Sequence, residues 1–259
     1  MLVSPPREVD AQLVVMRRRV TATMSRDSLA ELYRRSVTYP GPTLRLAGLE
    51  AARAAVEEQL DHLKGQRAVR LYARLKKESR RMAPDDVEYE IGQFKSAVEE
   101  LFPKIFRGGF IISLWSVFEA STKDLAEYVR REKGVPFGLQ DLRAGDFLEQ
   151  TDKFFGRVLD VKAFPEKAIR AKLEELKGLR NALVHHDGST DELPKVLRSS
   201  TEAEYRAKGL DVYSDLHHKY AVPSAKYAQE ALNTVGAFLE QLAETAYLAV
   251  HPIPLEDDA

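Results

Sequence analysis

The stretch Leu179-Arg180-Asn181-Ala182-Leu183-Val184-His185-His186-Asp187-Gly188 gathers a guanidinium, an amide and two imidazoles into less than three helical turns. Arg180 offers a planar, permanently charged fork that can give two parallel hydrogen bonds to the oxygens of a phosphate. Histidine titrates near neutrality, so His185, five positions on, suits proton transfer to or from a reacting oxygen. Asn181 stands four residues before His185, close enough on a helix for its amide to hold one imidazole nitrogen and leave the other free. His186 competes with His185 for the proton-transfer role; its simpler reading is a helix-end histidine beside the last carbonyls. A fixed cation beside an acid–base group can meet charge at phosphorus without a metal.

These residues need a helix to carry them. On a wheel of about 100° per residue that starts at Ile169, Leu173, Leu176, Leu183 and Val184 all fall within about 60° of the origin, and Arg180 falls near 20°, among the leucines. A guanidinium is seldom buried without a partner, so the wheel predicts an Arg placed in an apolar stripe for a reason. Arg180 and His185 differ by about 140° in azimuth and cannot both point squarely into one pocket of a regular helix. A groove at the helix end, shared with a second subunit, would reconcile them. Upstream, the apolar run from Lys104 to Lys133 carries Ser116 and Glu119, and Glu119 shares a face with Ile112, Trp115 and Ala126, from which it can reach toward Arg180 or the histidine.

The Arg, polar residue, three residues, His pattern at the end of an amphipathic helix, with Ser116 and Glu119 on an earlier apolar helix, resembles the HEPN superfamily over about Lys104 to Val250. The resemblance implies an all-α, up-and-down helical bundle, a homodimer with two motif copies facing each other, and, in many members, a metal-independent endoribonuclease. It places Arg180, His185 and Asn181 in the catalytic role, with Glu119, Ser116 and His186 in support. The chemistry expected is attack of an RNA 2′-hydroxyl on the adjacent phosphorus, which leaves a 2′,3′-cyclic phosphate and a 5′-hydroxyl and needs no cofactor. A toxin or defence effector with an antitoxin or other protein partner fits that class. The alternative is a non-catalytic helical module for dimerisation, protein binding or RNA binding, with Arg180 in a structural ion pair.

The remaining sequence bounds these readings. In 259 residues, 39 Lys and Arg stand against 40 Asp and Glu, a net charge of −1, so nucleic acid must be met by a local patch rather than by a globally basic surface. The absence of cysteine removes disulfides, thiolate metal sites and cysteine nucleophiles. No Gly-rich phosphate loop, Gly-x-Ser-x-Gly turn or paired carboxylates for a two-metal nuclease is present. His62, His217 and His218 lack companions at metal-ligand spacing and read as surface histidines; no metal is expected. The N-terminus lacks the order of a secretory signal and the most apolar run, Gly109 to Phe118, is short for a bilayer, so a cytoplasmic, non-membrane protein is expected.

Four regions are expected: an arm over 1–43 with one short helix between Ser25 and Val37, a helical region over 44–102, the bundle over 103–250 and an acidic tail over 251–259. The helix before the bundle is expected to open at Pro84 with Asp85 as N-cap and to stop before Pro103. Gly65 is the expected break or kink in the helical phase from Leu44 to Met82. Between Lys64 and Arg81 lie eight basic residues and one acid. Arg67, Arg70, Arg74, Lys77 and Arg81 recur at three and four positions and form one stripe, able to neutralise several RNA phosphates or to serve as a solvated face balanced by acidic neighbours.

Overall fold

The computed structural model describes residues 42–78, 81–143, 145–214 and 218–251, and the chain from Pro42 onward forms one compact unit. The expected arm helix, His217 and the acidic tail beyond His251 lie outside the described residues. Helix α1 (Pro42–Glu78) runs unbroken through Gly65. Helices α2 (Pro84–Lys95) and α3 (Phe102–Glu132) are joined by a π-helical turn, Ser96–Leu101, into one continuous helical stretch. The ion pairs Arg45–Asp124, Glu57–Arg107, Lys64–Glu99 and Arg74–Glu90 run in opposite chain order, so α1 lies antiparallel to that whole stretch.

The expected stop before Pro103 is corrected by that π turn. Proline breaks a helix because it lacks an N–H and its ring presses on the carbonyl one turn back. Here the wider turn loosens the ladder just ahead of Pro103: the Phe102 amide reaches Ala97, five residues back, and Pro103 falls in the first turn of α3. The boundary drawn between 102 and 103 therefore sits inside a helix. Asp85 is not the N-cap either. Ala83 caps α2, and its amide donates to Asp86 Oδ2 at 3.3 Å.

Helix α3 is central. Ile111, Leu114, Trp115, Phe118, Leu125 and Val129 are buried, and α1, α4 (Phe147–Leu159), α5 (Lys167–His185) and α7 (Ala225–Val250) all pack against it. A helix apolar round most of its circumference has to be covered in this way. The stretch Pro84–Glu132 is also long and apolar enough to cross a bilayer by length and composition, in contrast to the short run expected from sequence. Phe118 meets Phe238 of α7 and Phe147 of α4 at ring distances of 5.5 and 5.6 Å, which fixes these helices on one another. On α7, Ala228, Leu232, Val235, Leu239, Leu242 and Ala246 are buried as their spacing predicts.

The segment after α5 is not wholly irregular. Thr201 caps α6 (Glu202–Ala207), and β1 (Leu210–Ser214) pairs antiparallel with β2 (Lys219–Pro223), with Val212 opposite Ala221. This hairpin departs from the all-helical expectation, but the fold remains mainly helical. Leu210 of β1 and Ala221 and Val222 of β2 are buried, and β2 packs on α3.

Candidate active site at the end of α5

Helix α5 ends where the sequence indicates. The amides of His186 and Gly188 both donate to the Ala182 carbonyl, at 3.0 and 2.9 Å, and Asp187 and Gly188 take left-handed backbone conformations with φ of 51° and 77°. This is a helix end of the kind that glycine favours. Ala221 of β2 donates to the Gly188 carbonyl at 2.9 Å, so the hairpin holds the turn from the other side.

The buried face of α5 is Leu173, Glu175, Leu176, Leu179 and Ala182. It is turned from the face read off the wheel, because α3 and α7 approach from the side of Leu179 and Ala182. Val184 is 41% exposed. Arg180 consequently lies on the flank of the buried face, half-buried, rather than in its middle. Its Nη1 donates to Asn181 Oδ1 at 3.0 Å, and its Nε is buried with no acceptor among the described residues. No carboxylate pairs with it among the described residues.

Asn181 therefore serves Arg180, and among the described residues no hydrogen bond joins it to His185. His185 and His186 are both exposed, with ring centroids 6.4 Å apart. Glu119 accepts a hydrogen bond from Trp115 Nε1 at 2.9 Å, and Ser116 Oγ donates to the Ile112 carbonyl at 3.0 Å. A Cβ at Gly108 would stand 3.5 Å from Leu183, and Lys104 Nζ is 2.6 Å from Asp187 Oδ2, so α3 and α5 are antiparallel in a known register. At 1.5 Å per residue, Arg180 comes level with about Ile111 and Glu119 stands some 12 Å farther along. The structure brings Arg180 and Asn181 together and leaves Glu119, Ser116 and His185 apart from them.

Two groups near the site escaped the sequence reading. Lys104, mostly buried, pairs with Asp187 and lies 4.0 Å above the Tyr220 ring of β2. Tyr220 in turn donates to Glu100 Oε2 at 3.2 Å. No spacing rule links Lys104 to residues more than eighty positions later, and only the helix pairing reveals them. One turn before Arg180, Lys177 binds Asp146 Oδ2 at 2.6 Å. Asp146 is also the N-cap of α4, accepting from the Glu149 amide at 2.9 Å. Burial raises the Asp146 carboxyl, but Lys177 and the amides of the first turn outweigh it and hold the group below its ordinary value.

Part of the basic stripe, Arg67, Arg70 and Arg74, lines a groove between α1 and α2 together with Leu71, Glu90 and Phe94. Arg74 is ion-paired with Glu90, and the Arg67 guanidinium lies 4.7 Å over the Phe102 ring. Arg70, Lys77 and Arg81 are exposed and have no ion pair among the described residues. Tyr72 is 70% exposed. His62 is exposed and hydrogen-bonds to Gln66 at 2.8 Å, and His218 is exposed. Among the described residues no group of three or more His, Asp and Glu side chains is placed to hold a metal.

Comparison with protein-family models, with curated proteins and with solved structures finds no match to this chain.

Proposed function

We propose that this protein is a metal-independent endoribonuclease of the HEPN type that cuts RNA by 2′-hydroxyl attack, leaving 2′,3′-cyclic phosphate and 5′-hydroxyl ends. One observation carries the reading. Arg180 is a half-buried cation that has, among the described residues, no carboxylate partner and no acceptor for its buried Nε, although leaving such a donor unmet costs about 1–3 kcal/mol. A phosphate oxygen would supply the missing acceptor and the missing charge. Asn181 holds the guanidinium by Nη1 and thereby sets its plane.

In the proposed reaction Arg180 stabilises charge on the phosphorane, and His185 moves the proton between the 2′-oxygen and the leaving 5′-oxygen. His186 is the second candidate for that step. His185 points away from Arg180 by the helical geometry, so a second copy of the chain would complete the site, with the exposed Leu101, Ile105 and Val184 available to the contact. A cytoplasmic setting and a protein antitoxin suit an enzyme of this class. The test uses purified protein and labelled RNA with EDTA present, and resolves the product ends. Arg180→Ala and His185→Ala should each remove most cleavage without unfolding the protein. Loss of activity on chelation, or normal cutting by both variants, overturns the mechanism.

The second reading, a non-catalytic dimerisation or binding module, draws on the separation of Glu119, Asn181 and His185, each engaged or oriented away from the others. It expects Arg180→Ala to lower thermal stability while wild-type protein cuts no RNA.

A further inference from the structure

The geometry points to a second nucleic-acid site, distinct from the end of α5: we propose that the groove between α1 and α2 grips single-stranded RNA. The inference adopts RNA as the partner from the proposed function, but it rests on a different part of the molecule.

Past Arg67, α1 pairs with α2 and the π turn. Helix α2 buries none of its residues, and Val69, Tyr72 and Tyr89 are 70%, 70% and 66% exposed. Two helices alone cannot enclose a core, so this hairpin contributes little to the apolar packing of the bundle and leaves side chains open to a partner. Charge identifies that partner. The eight basic residues against one acid over Lys64 to Arg81 concentrate positive charge on a chain whose overall balance is −1. Acidic neighbours take only part of it: Glu99 takes Lys64 and Glu90 takes Arg74. Of the stripe, Arg67, Arg70, Lys77 and Arg81 remain; along α1, Arg70 stands about 4.5 Å from Arg67 and Lys77 about 10.5 Å beyond Arg70 at 1.5 Å per residue, a track on which the phosphates of an extended strand can meet cations.

The same groove supplies a hydrophobic wall. Phe94 lines it beside Arg67, Arg70 and Leu71, within a concavity of about 430 Å³. Cations along a backbone track with an aromatic side chain between them is the arrangement that holds unpaired bases, since every base can stack and a duplex hides its bases. Arg67, already laid against Phe102, presents its guanidinium at the groove without further ordering.

Binding is measured with the full-length protein and a fluorescently labelled 2′-O-methyl oligoribonucleotide, which cannot be cut by 2′-hydroxyl attack, over a salt series. Four phosphate contacts give a log–log salt slope of about −3, at roughly −0.7 per contact for a single strand. The triple variant Arg70→Gln, Lys77→Gln, Arg81→Gln, at exposed positions that the fold does not use, should bind at least tenfold more weakly with a slope near −1. Phe94→Leu should weaken binding about fivefold or more with the slope unchanged. Equal binding by wild type and the triple variant, or a preference for duplex over single strand, overturns the proposal. The two sites are separable: cleavage of a dinucleotide substrate should be untouched by the triple variant. If wild type binds the strand but cuts no RNA, the nuclease reading fails and the groove stands.

Discussion

Arg180 donates from Nη1 to the amide oxygen of Asn181, 3.0 Å away, and keeps its Nε buried with no acceptor among the described residues. A neutral acceptor orients the guanidinium without cancelling its charge. Asn181→Asp tests this directly, since a carboxylate at that place would neutralise the cation. Its melting temperature should stay at or slightly above that of wild type, while RNA cleavage falls by at least a hundredfold. Asn181→Ala should lower cleavage about tenfold, because the cation survives but loses its set orientation. Gel-resolved cleavage rates and thermal melts of both variants check the pair, and an Asn181→Asp protein that cuts like wild type removes Arg180 from phosphate binding.

Glu119 gives the opposite expectation. Its carboxylate accepts from the indole N–H of Trp115, a residue 3% exposed. Glu119→Ala leaves that buried donor unmet, a loss of about 1–3 kcal/mol, or roughly 3–10 °C in melting temperature for a protein of this size. The cleavage rate per folded molecule should not change. A large fall in rate with no change in melting would return Glu119 to the site.

The contrast between these residues marks how far the sequence reaches. The apolar spacing of α3 and α7 and the end of α5 at Gly188 are local properties, and both are legible because each depends on neighbours within one or two turns. Which flank of α5 is buried depends on where α3 and α7 approach, so Arg180 was displaced from mid-stripe to edge. The continuous helix through Pro103 depends on a π turn that no spacing announces. The hairpin had a weak signal in the alternation of Leu210, Val212, Tyr220 and Val222, outweighed by the helical character of the rest. Asn181 and His185 satisfied the spacing rule for a contact, but the amide found a nearer partner in Arg180.

Asp146 links α4 to the turn of α5 that precedes Arg180. Its carboxyl is held below its ordinary value of 3.8 by Lys177 and the α4 amides, against the opposing effect of burial. A depressed carboxyl means that the unfolded chain takes up the proton first as pH falls. The stabilisation is therefore complete above about pH 5 and is lost as pH drops through 4 and below. Asp146→Ala should cost about 1–2 kcal/mol at pH 7, from the lost cap and the partly exposed ion pair, and the difference from wild type should shrink toward pH 3. Thermal or urea melts over that range measure it; a difference that holds constant with pH would mean that packing, not charge, carries the effect.

Tyr227 carries the alkaline counterpart. Burial, with Glu175 beside it, pushes its phenol well above the ordinary value of 10.0. The folded state thus holds the proton after the unfolded chain has released it, so stability is whole below pH 10 and declines as pH rises beyond it. Tyr227→Phe removes that term, so its melting temperature should fall less steeply than that of wild type between pH 10 and 11. At pH 7 it should be less stable by about 1 kcal/mol, the worth of a hydrogen bond to a charged group less the gain from an apolar ring. Parallel slopes for the two proteins would show that the phenol ionises as freely in the fold as outside it.

Gly188 joins the helix end to the hairpin, so a methyl added there is felt by both. Its φ of 77° is a conformation in which an L side chain costs about 1–2 kcal/mol, and an added Cβ would lie 2.9 Å from the Ala221 carbonyl oxygen. That oxygen belongs to backbone and cannot swing aside. Gly188→Ala must then either stretch the contact with β2 or unwind the last turn of α5, where His185 and His186 sit. Both routes disturb the histidines while Arg180, two turns away from Gly188, keeps its Asn181 contact. The expected outcome is a fall in melting temperature of about 5–10 °C, with cleavage reduced more than RNA affinity at a temperature where the variant is still folded. A variant that melts lower yet cuts at the wild-type rate would show that the position of the helix end is immaterial to the chemistry, and with it the assignment of either histidine.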